Sequence, residues 1–162
     1  MRPCHLVFSL VLRTVMATVD TNSSAALSHF HPAVRRWFTG AFDEPTPAQV
    51  RAWPLIAQGA NTLLLAPTGS GKTLAAFLVA IDRIMFSAPA DGESSGVRTL
   101  YISPLKALGV DVQRNQRSPL AGVRALAEKE QLPHTVPTIG VRSGDTPQAD
   151  RYRMTREPPD IL

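Results

Sequence analysis

The sequence predicts an α/β domain built on a parallel sheet, and three observations lead to that prediction. Short apolar runs of strand length alternate along the chain with longer segments of helical periodicity. Turn residues separate most of these runs from the segments that follow. The segment APTGSGKT, Ala66–Thr73, lies between an apolar run and an amphipathic helix, which is the setting of a phosphate-binding loop. With 162 residues, the chain has room for one such domain with a core of its own.

The beginning of the chain is expected to be a poorly ordered lead-in over residues 1–28, so that the domain covers residues 29–162. Arg2 precedes a short apolar stretch, which is compatible with a weak signal peptide. A second methionine at Met16 offers another interpretation, in which the first fifteen residues come from an over-extended start, and we prefer it.

Two helices should follow the lead-in. Pro32 suits the first turn of a helix, and Gly40 is the predicted stop of that helix. The second helix has a stronger start signal, because Thr46 and Gln49 have the spacing of a capping box. Pro54 should bend this second helix.

The remaining predicted elements alternate between strands and helices. Thr62–Ala66 is a short apolar run, as expected of a strand buried on both faces. A helix over residues 72–86 is apolar on nearly all sides and should be packed between layers. The others are a strand at 98–103, a helix from 104 through 114, a helix from 119 to about 131, a strand at 138–142, a helix at 147–155 and the start of a strand at 160–162. Since this last strand only begins, the sheet is expected to be incomplete at the C-terminus.

The loop Ala66–Thr73 has the chemistry of a nucleotide phosphate site that takes ATP with Mg²⁺. Gly69 and Gly71 permit backbone angles that turn successive N–H groups into one concavity for phosphate oxygens, and Thr68 and Ser70 lie between the same peptide groups. The helix start near Lys72 adds a positive field, and the Lys72 side chain adds a mobile charge for the β- and γ-phosphates. We therefore predict Lys72 and Thr73 as catalytic residues, with the Thr73 hydroxyl as a ligand of Mg²⁺. The alternative is a Gly/Ser-rich turn that only joins a strand to a helix.

Charge, cysteine content and hydropathy limit the partners and the kinds of site that the chain can have. The net charge is +4, and ten basic residues face five acidic ones between Arg98 and Arg156, which suits a polyanion such as a nucleic acid or, equally, a solvated surface. The single cysteine, Cys4, excludes an intrachain disulfide and a cysteine-based zinc site. No apolar run has the length of about 18 residues that a membrane-spanning helix needs, so we expect a cytoplasmic protein without a membrane partner.

With these segments in view, the chain resembles the superfamily 2 helicases, in particular the large helicase-related (Lhr) family, over about residues 30–162. The segment FDEPTPAQVRAWPLIAQG, Phe42–Gly59, resembles the Q motif, which implies that Gln49 reads adenine and that Phe42 packs against it. Gln49 is also the expected capping-box partner of Thr46, and it can serve in both ways. The resemblance implies a three-layer P-loop NTPase (RecA-like) domain, ATP as the nucleotide and a role in DNA repair.

Two further segments resemble motifs that lie along a nucleic-acid strand. YISPLKALGVD, Tyr101–Asp111, is similar to motif Ia, which implies backbone contacts from Ser103, Pro104 and Lys106. VRSGDTP, Val141–Pro147, is similar to an Lhr-type segment, which implies contacts from Arg142 and Gly144. For the first segment the alternative is a helix start with an exposed lysine. For the second it is a tight turn in which Asp145 or Thr146 caps the next helix.

The sequence also departs from the family pattern. It contains no Asp-Glu-x-His motif, and its one Asp-Glu pair, Asp43-Glu44, lies before the phosphate loop. The second RecA-like domain is missing as well. The resemblance implies an ATP-dependent 3′–5′ DNA helicase acting on single-stranded or duplex DNA, with RNA or hybrid duplexes as further substrates. We expect this chain alone to bind nucleotide weakly and to hydrolyse it poorly. An inactive truncated product and a small P-loop kinase are the alternatives.

Overall fold

The structure is a computed structural model that describes residues 23–87, 96–103 and 106–162, without the side chains of 106–116. The described residues form six helices: α1 (Ser23–Leu27), α2 (Pro32–Ala41), α3 (Pro47–Ala57), α4 (Lys72–Phe86), α5 (Lys106–Lys129) and α6 (Gln148–Arg156). Among these residues, no helix is both long enough and apolar enough to cross a membrane.

The helices before the phosphate loop begin where the sequence predicts. α2 begins at Pro32, and it continues through Gly40 to Ala41 rather than stopping at the glycine. The capping box of α3 is confirmed. The backbone N–H of Gln49 donates to Thr46 Oγ1 (3.3 Å), and the backbone N–H of Thr46 donates to Gln49 Oε1 (2.9 Å). Pro54 lies inside α3, as predicted.

Two helical segments differ from the sequence prediction. Ser23–Leu27, assigned to the lead-in, forms α1, because Ala26 and Leu27 are buried in the core and α1 packs against α3. Residues 1–22 lie outside the described residues, so the domain boundary stays a prediction. The two helices predicted on either side of Pro119 are one helix, α5. An interior proline costs a helix about 3 kcal/mol, and burial of Val123 and Ala127 in the core offsets that cost.

α4 is the central helix, as its apolar sequence predicts. One of its sides packs in the main core with α2 and α3, where Phe38, Trp53, Leu78 and Ile81 have almost no exposed surface. Another side contributes Phe77 and Ile84 to a smaller cluster around Ile161. Burial on several sides holds the first turn of α4, which follows the phosphate loop, in a fixed place.

Among the residues that the structure describes, the predicted parallel sheet is present as two isolated bridges. Ile161 pairs in parallel with Thr99 on one side and with Ile139 on the other. The amides of Ile161 and Leu162 donate to Thr138 O (3.0 Å) and Thr99 O (3.0 Å). Three of the four predicted strand segments are therefore neighbours, in the order 98–101, 160–162, 138–140, with the direction that the sequence predicts.

The predicted strand Thr62–Ala66 is not a buried strand in this structure. The segment pairs with no other described segment, and Leu63 and Leu65 are 45% and 83% exposed. A strand buried on both faces needs packed layers above and below it as well as paired neighbours, and here only Leu64 packs against the core. The segment still leads directly into the phosphate loop.

The junction of α2 with α4 contains a partly buried carboxylate. The His31 backbone N–H donates to Asp82 Oδ1 (2.7 Å), and the His31 ring stacks on Phe86 with centroids 3.9 Å apart. Burial raises the pKa of Asp82 to about 6, although the His31 hydrogen bond opposes the shift. Burial, together with Arg35 and Arg36, lowers the pKa of His31.

Asp82→Asn should isolate the effect of this carboxylate on stability. Because the Asp82 pKa is higher in the folded chain than in the unfolded one, the folded chain holds the extra proton between about pH 4 and 6. The wild type should therefore lose about 1 to 3 kcal/mol of stability relative to Asp82→Asn as the pH rises through that window. Urea unfolding at pH 4, 5, 6 and 7 measures the difference, and His31 contributes equally to both proteins. Asp43→Asn, at an exposed position, is the control; a pH-independent difference for Asp82→Asn would contradict the account.

Candidate nucleotide-binding site

The phosphate loop has the backbone geometry that its glycines predict. Gly69 and Gly71 have φ of +83° and +80°, in the left-handed region that favours glycine. Gly71 is the N-cap of α4, and no side chain caps that helix. The first N–H groups of α4 are therefore left for an anion at the positive end of the helix.

The Lys72 side chain donates hydrogen bonds back to the first residues of the loop. Its Nζ donates to Ala66 O (2.6 Å) and to Pro67 O (2.6 Å). These bonds pull two carbonyl oxygens towards the ammonium group and leave a third hydrogen for another acceptor. A phosphate oxygen is a suitable third partner because it carries the opposite charge.

The hydroxyl side chains of the loop fit a polar ligand. Ser70 Oγ is buried and has no hydrogen-bond partner, the one such side-chain atom among the described residues. A buried hydroxyl without a partner costs free energy, which a bound phosphate oxygen would recover. Thr68 and Thr73 are exposed, so both hydroxyls are accessible from solvent.

Side chains at the start of α3 donate hydrogen bonds to the phosphate loop, a contact that the sequence does not reveal. Thr46 Oγ1 donates to Ser70 O (2.7 Å), and Gln49 Nε2 donates to Gly71 O (3.4 Å). Gln49 is only 3% exposed and lies so close that a Cβ on Gly71 would stand 2.5 Å from its Nε2. The capping box thus joins the helix to the loop, while the spacing of Thr46 and Gln49 shows only a cap.

A second contact fixes α3 against α4. The indole of Trp53 donates to Ala75 O (3.1 Å) from a fully buried position. Arg83 of α4 donates to Ile56 O (3.0 Å) and Ala57 O (2.7 Å) at the other end of α3. The sequence identifies Trp53 only as apolar, because its partner is 22 residues away.

The predicted adenine contacts remain predictions. Gln49 has both ends of its amide bonded within the protein, to Thr46 and to Gly71. Phe42 is 43% exposed, and its ring lies 4.9 Å from that of Phe38 and 5.9 Å from that of Trp37. Phe42 therefore presents an open aromatic surface beside α2.

The predicted nucleic-acid contacts fall in two segments. In the first segment, Ser103 is half-buried and Pro104 lies outside the described residues. Lys106 is the first residue of α5, and its side chain lies outside the described part of the chain. In the second, Arg142 and Gly144 are exposed.

Hydrogen bonds of the Thr146 side chain and of Arg151 on α6 stabilise the turn at residues 143–146. Thr146 Oγ1 accepts from the Ser143 amide (2.8 Å), while Arg151 donates to the carbonyls of Gly144 (2.8 Å) and Thr146 (2.8 Å). Capping of α6 by Asp145 or Thr146 does not occur, because its N-cap is Pro147 and no side chain caps it. Thr146 is used within the turn instead.

Comparisons with known proteins agree on one family. A family model of the DEAD/DEAH box helicases matches residues 46–162. The chain is 56% identical over 144 residues to a Lhr helicase/probable uracil glycosylase of Mycolicibacterium smegmatis, covering 89% of this chain and 9% of that protein. It is 44% identical over 151 residues to the Lhr helicase/uracil glycosylase of Escherichia coli, covering 91% of this chain and 10% of that protein. The chain therefore spans about a tenth of the length of these relatives.

A solved structure also matches. It is described as Mycobacterium smegmatis helicase Lhr bound to ssDNA and AMP-PNP. The TM-score is 0.74 at 55% sequence identity, and the match covers 85% of this chain and 17% of that one. A match of this quality supports a RecA-like P-loop fold for the chain.

Gly71→Ala tests the geometry of the loop. The added Cβ would clash with Gln49 and would hold an alanine at positive φ, which costs about 1 to 2 kcal/mol. We expect ATP affinity to fall about tenfold or more by isothermal titration calorimetry. Gly40→Ala is the matched control, because a Cβ there meets nothing within 4 Å and the residue is helical. Unchanged ATP binding by a folded Gly71→Ala protein would refute this geometry.

Proposed function

Because this chain belongs to the DEAD/DEAH box helicases, and within them to the Lhr family, we propose that it is the ATP-binding part of an ATP-dependent 3′–5′ DNA helicase. The observation that carries the proposal is the loop at residues 66–73, with Lys72 at its mouth and its two glycines at positive φ. The proposed unit is a partial first RecA-like domain over residues 29–162, in a cytoplasmic protein.

The residues present fit a magnesium–nucleotide complex. Ser70 offers a buried hydroxyl without a partner, and Lys72 offers its remaining ammonium hydrogen. The uncapped amides at the start of α4 would hold phosphate oxygens, and the Thr73 hydroxyl would hold the cation. When bound, Mg²⁺ neutralises charge on the β- and γ-phosphates. Lys72 stabilises negative charge that develops on the transferred phosphoryl group.

Adenine selection would come from Gln49 and Phe42. An amide can pair with both N6 and N7 of adenine, a pattern that guanine does not offer. Gln49 would then support the loop before nucleotide binds and share its amide with the base afterwards. The exposed ring of Phe42 is suited to stack on a purine.

The nucleic-acid partner would be DNA, single-stranded or duplex, with RNA or hybrid duplexes as further substrates. The proposed contacts are Ser103, Pro104, Lys106, Arg142 and Gly144. Backbone contacts of this kind do not read bases, which suits a motor that moves along any sequence. The ssDNA named for the Mycobacterium smegmatis helicase Lhr structure supports the choice of DNA.

A second candidate is a product that binds ATP without turning it over. Ile102 is 70% exposed and lines an apolar cleft of about 230 Å³ that reaches Lys72 and Thr73. An open cleft of this kind beside the loop admits water, which weakens the electrostatic interactions that phosphoryl transfer needs. An ATPase assay with and without single-stranded DNA separates the candidates, since a turnover enzyme should be stimulated by DNA.

Lys72→Ala tests the nucleotide site itself. Loss of the ammonium group should weaken binding of Mg-ATP about tenfold or more, because a charge-assisted contact to phosphate is lost. Titration with a fluorescent ATP analogue measures the change. Lys129→Ala is the matched control, since Lys129 is an exposed lysine in the last turn of α5. Equal binding by the wild type and Lys72→Ala would overturn the assignment.

A further inference from the structure

α6 lies on the surface and leaves a large aromatic side chain in solvent. No residue of α6 is buried, and its half-buried residues, Asp150, Arg151 and Met154, share one side. Tyr152, on the other side, is 64% exposed and makes no ring contact with another described aromatic residue. A tyrosine in this position contributes nothing to the core.

Two arginines, one on α6 and one just before the preceding turn, are available for an anion. Arg156 follows Tyr152 by four residues and therefore lies on the same face of α6. Arg156 and Arg142 are exposed, and neither has a hydrogen bond or an ion pair within the described part of the chain. Asp150 is engaged by Arg153 (2.9 Å), while Asp145 in the preceding turn and Glu157 just past the helix end are exposed acids.

The helix and the preceding turn form one unit. Arg151 donates to Ser143 O (3.1 Å) as well as to the carbonyls of Gly144 and Thr146. These three bonds hold α6 against the turn that follows Arg142. The helix is thus tied to the segment for which strand contacts are proposed above.

We propose that the outer face of α6 binds single-stranded nucleic acid, with one base stacked on Tyr152 and flanking phosphates on Arg142 and Arg156. This inference rests on the proposed function and extends its strand-contacting surface. An exposed tyrosine with an arginine four residues away on the same helix face is suited to this ligand, because an aromatic ring stacks on any base and arginine pairs with phosphate. A protein partner is less well matched, because the other exposed residues on this face of α6, Gln148, Ala149 and Thr155, offer no apolar patch.

The experiment measures binding of a fluorescent oligothymidine to the full chain by anisotropy, and repeats it with an oligonucleotide of abasic sites. Tyr152→Ala should weaken binding to oligothymidine about 5- to 100-fold, while Tyr152→Phe should bind like the wild type. On the abasic strand the wild type and Tyr152→Ala should be equal, because no base is left to stack. Arg156→Gln should lower the salt dependence of binding by about one counterion, whereas the control Arg117→Gln, at an exposed position on α5, should not.

The outcomes separate this inference from the function on which it rests. If the wild type does not bind the strand, the proposed nucleic-acid surface fails as a whole. If the wild type binds and Tyr152→Ala binds equally well, or loses the same factor on the abasic strand, only the stacking role of Tyr152 is overturned. Circular dichroism of each variant confirms that α6 and the rest of the chain remain folded.

Discussion

The candidate nucleotide site depends on one contact, in which Thr46 and Gln49 at the start of α3 hold the carbonyl oxygens of Ser70 and Gly71. A peptide group whose oxygen is held on one side turns its N–H to the other side, so these bonds help to set the direction of the loop amides. Lys72 holds the carbonyl oxygen of Pro67 in the same way, and so helps to orient the N–H of Thr68. The loop is therefore ordered by donors around it, and the phosphate site is present before any phosphate binds.

The contact between α3 and the loop depends on the packing of α3 against α4. α3 and α4 are joined by Trp53, whose indole reaches Ala75 in the first turn of α4. Burial of the indole ties the helix that supplies Gln49 to the helix that supplies Lys72 and Thr73. A change at this interface would therefore move both halves of the site together. The turn and helix around Arg151 show the same principle, because one guanidinium group there holds three carbonyls.

Local features of the sequence predict local structure well. The glycine conformations, the start of α4 at Lys72 and the capping box all follow from a few neighbouring residues, and the structure confirms them. Features that depend on distant partners were not predicted. The sequence does not show that Thr46 reaches Ser70, that α5 continues through Pro119, or that no other described segment pairs with Thr62–Ala66. In each case the deciding atoms belong to another element, and a single sequence does not say which elements meet.

The most direct test of this account is calorimetry of Gln49→Ala with two ligands, Mg-ATP and Mg-tripolyphosphate, which has no base. If Gln49 supports the loop, its removal should weaken binding of both ligands, because both need the same phosphate cradle. If Gln49 only recognised adenine, the affinity for tripolyphosphate would stay at the wild-type value while that for ATP fell. That second result would contradict the claim that the contact between α3 and the loop organises the site.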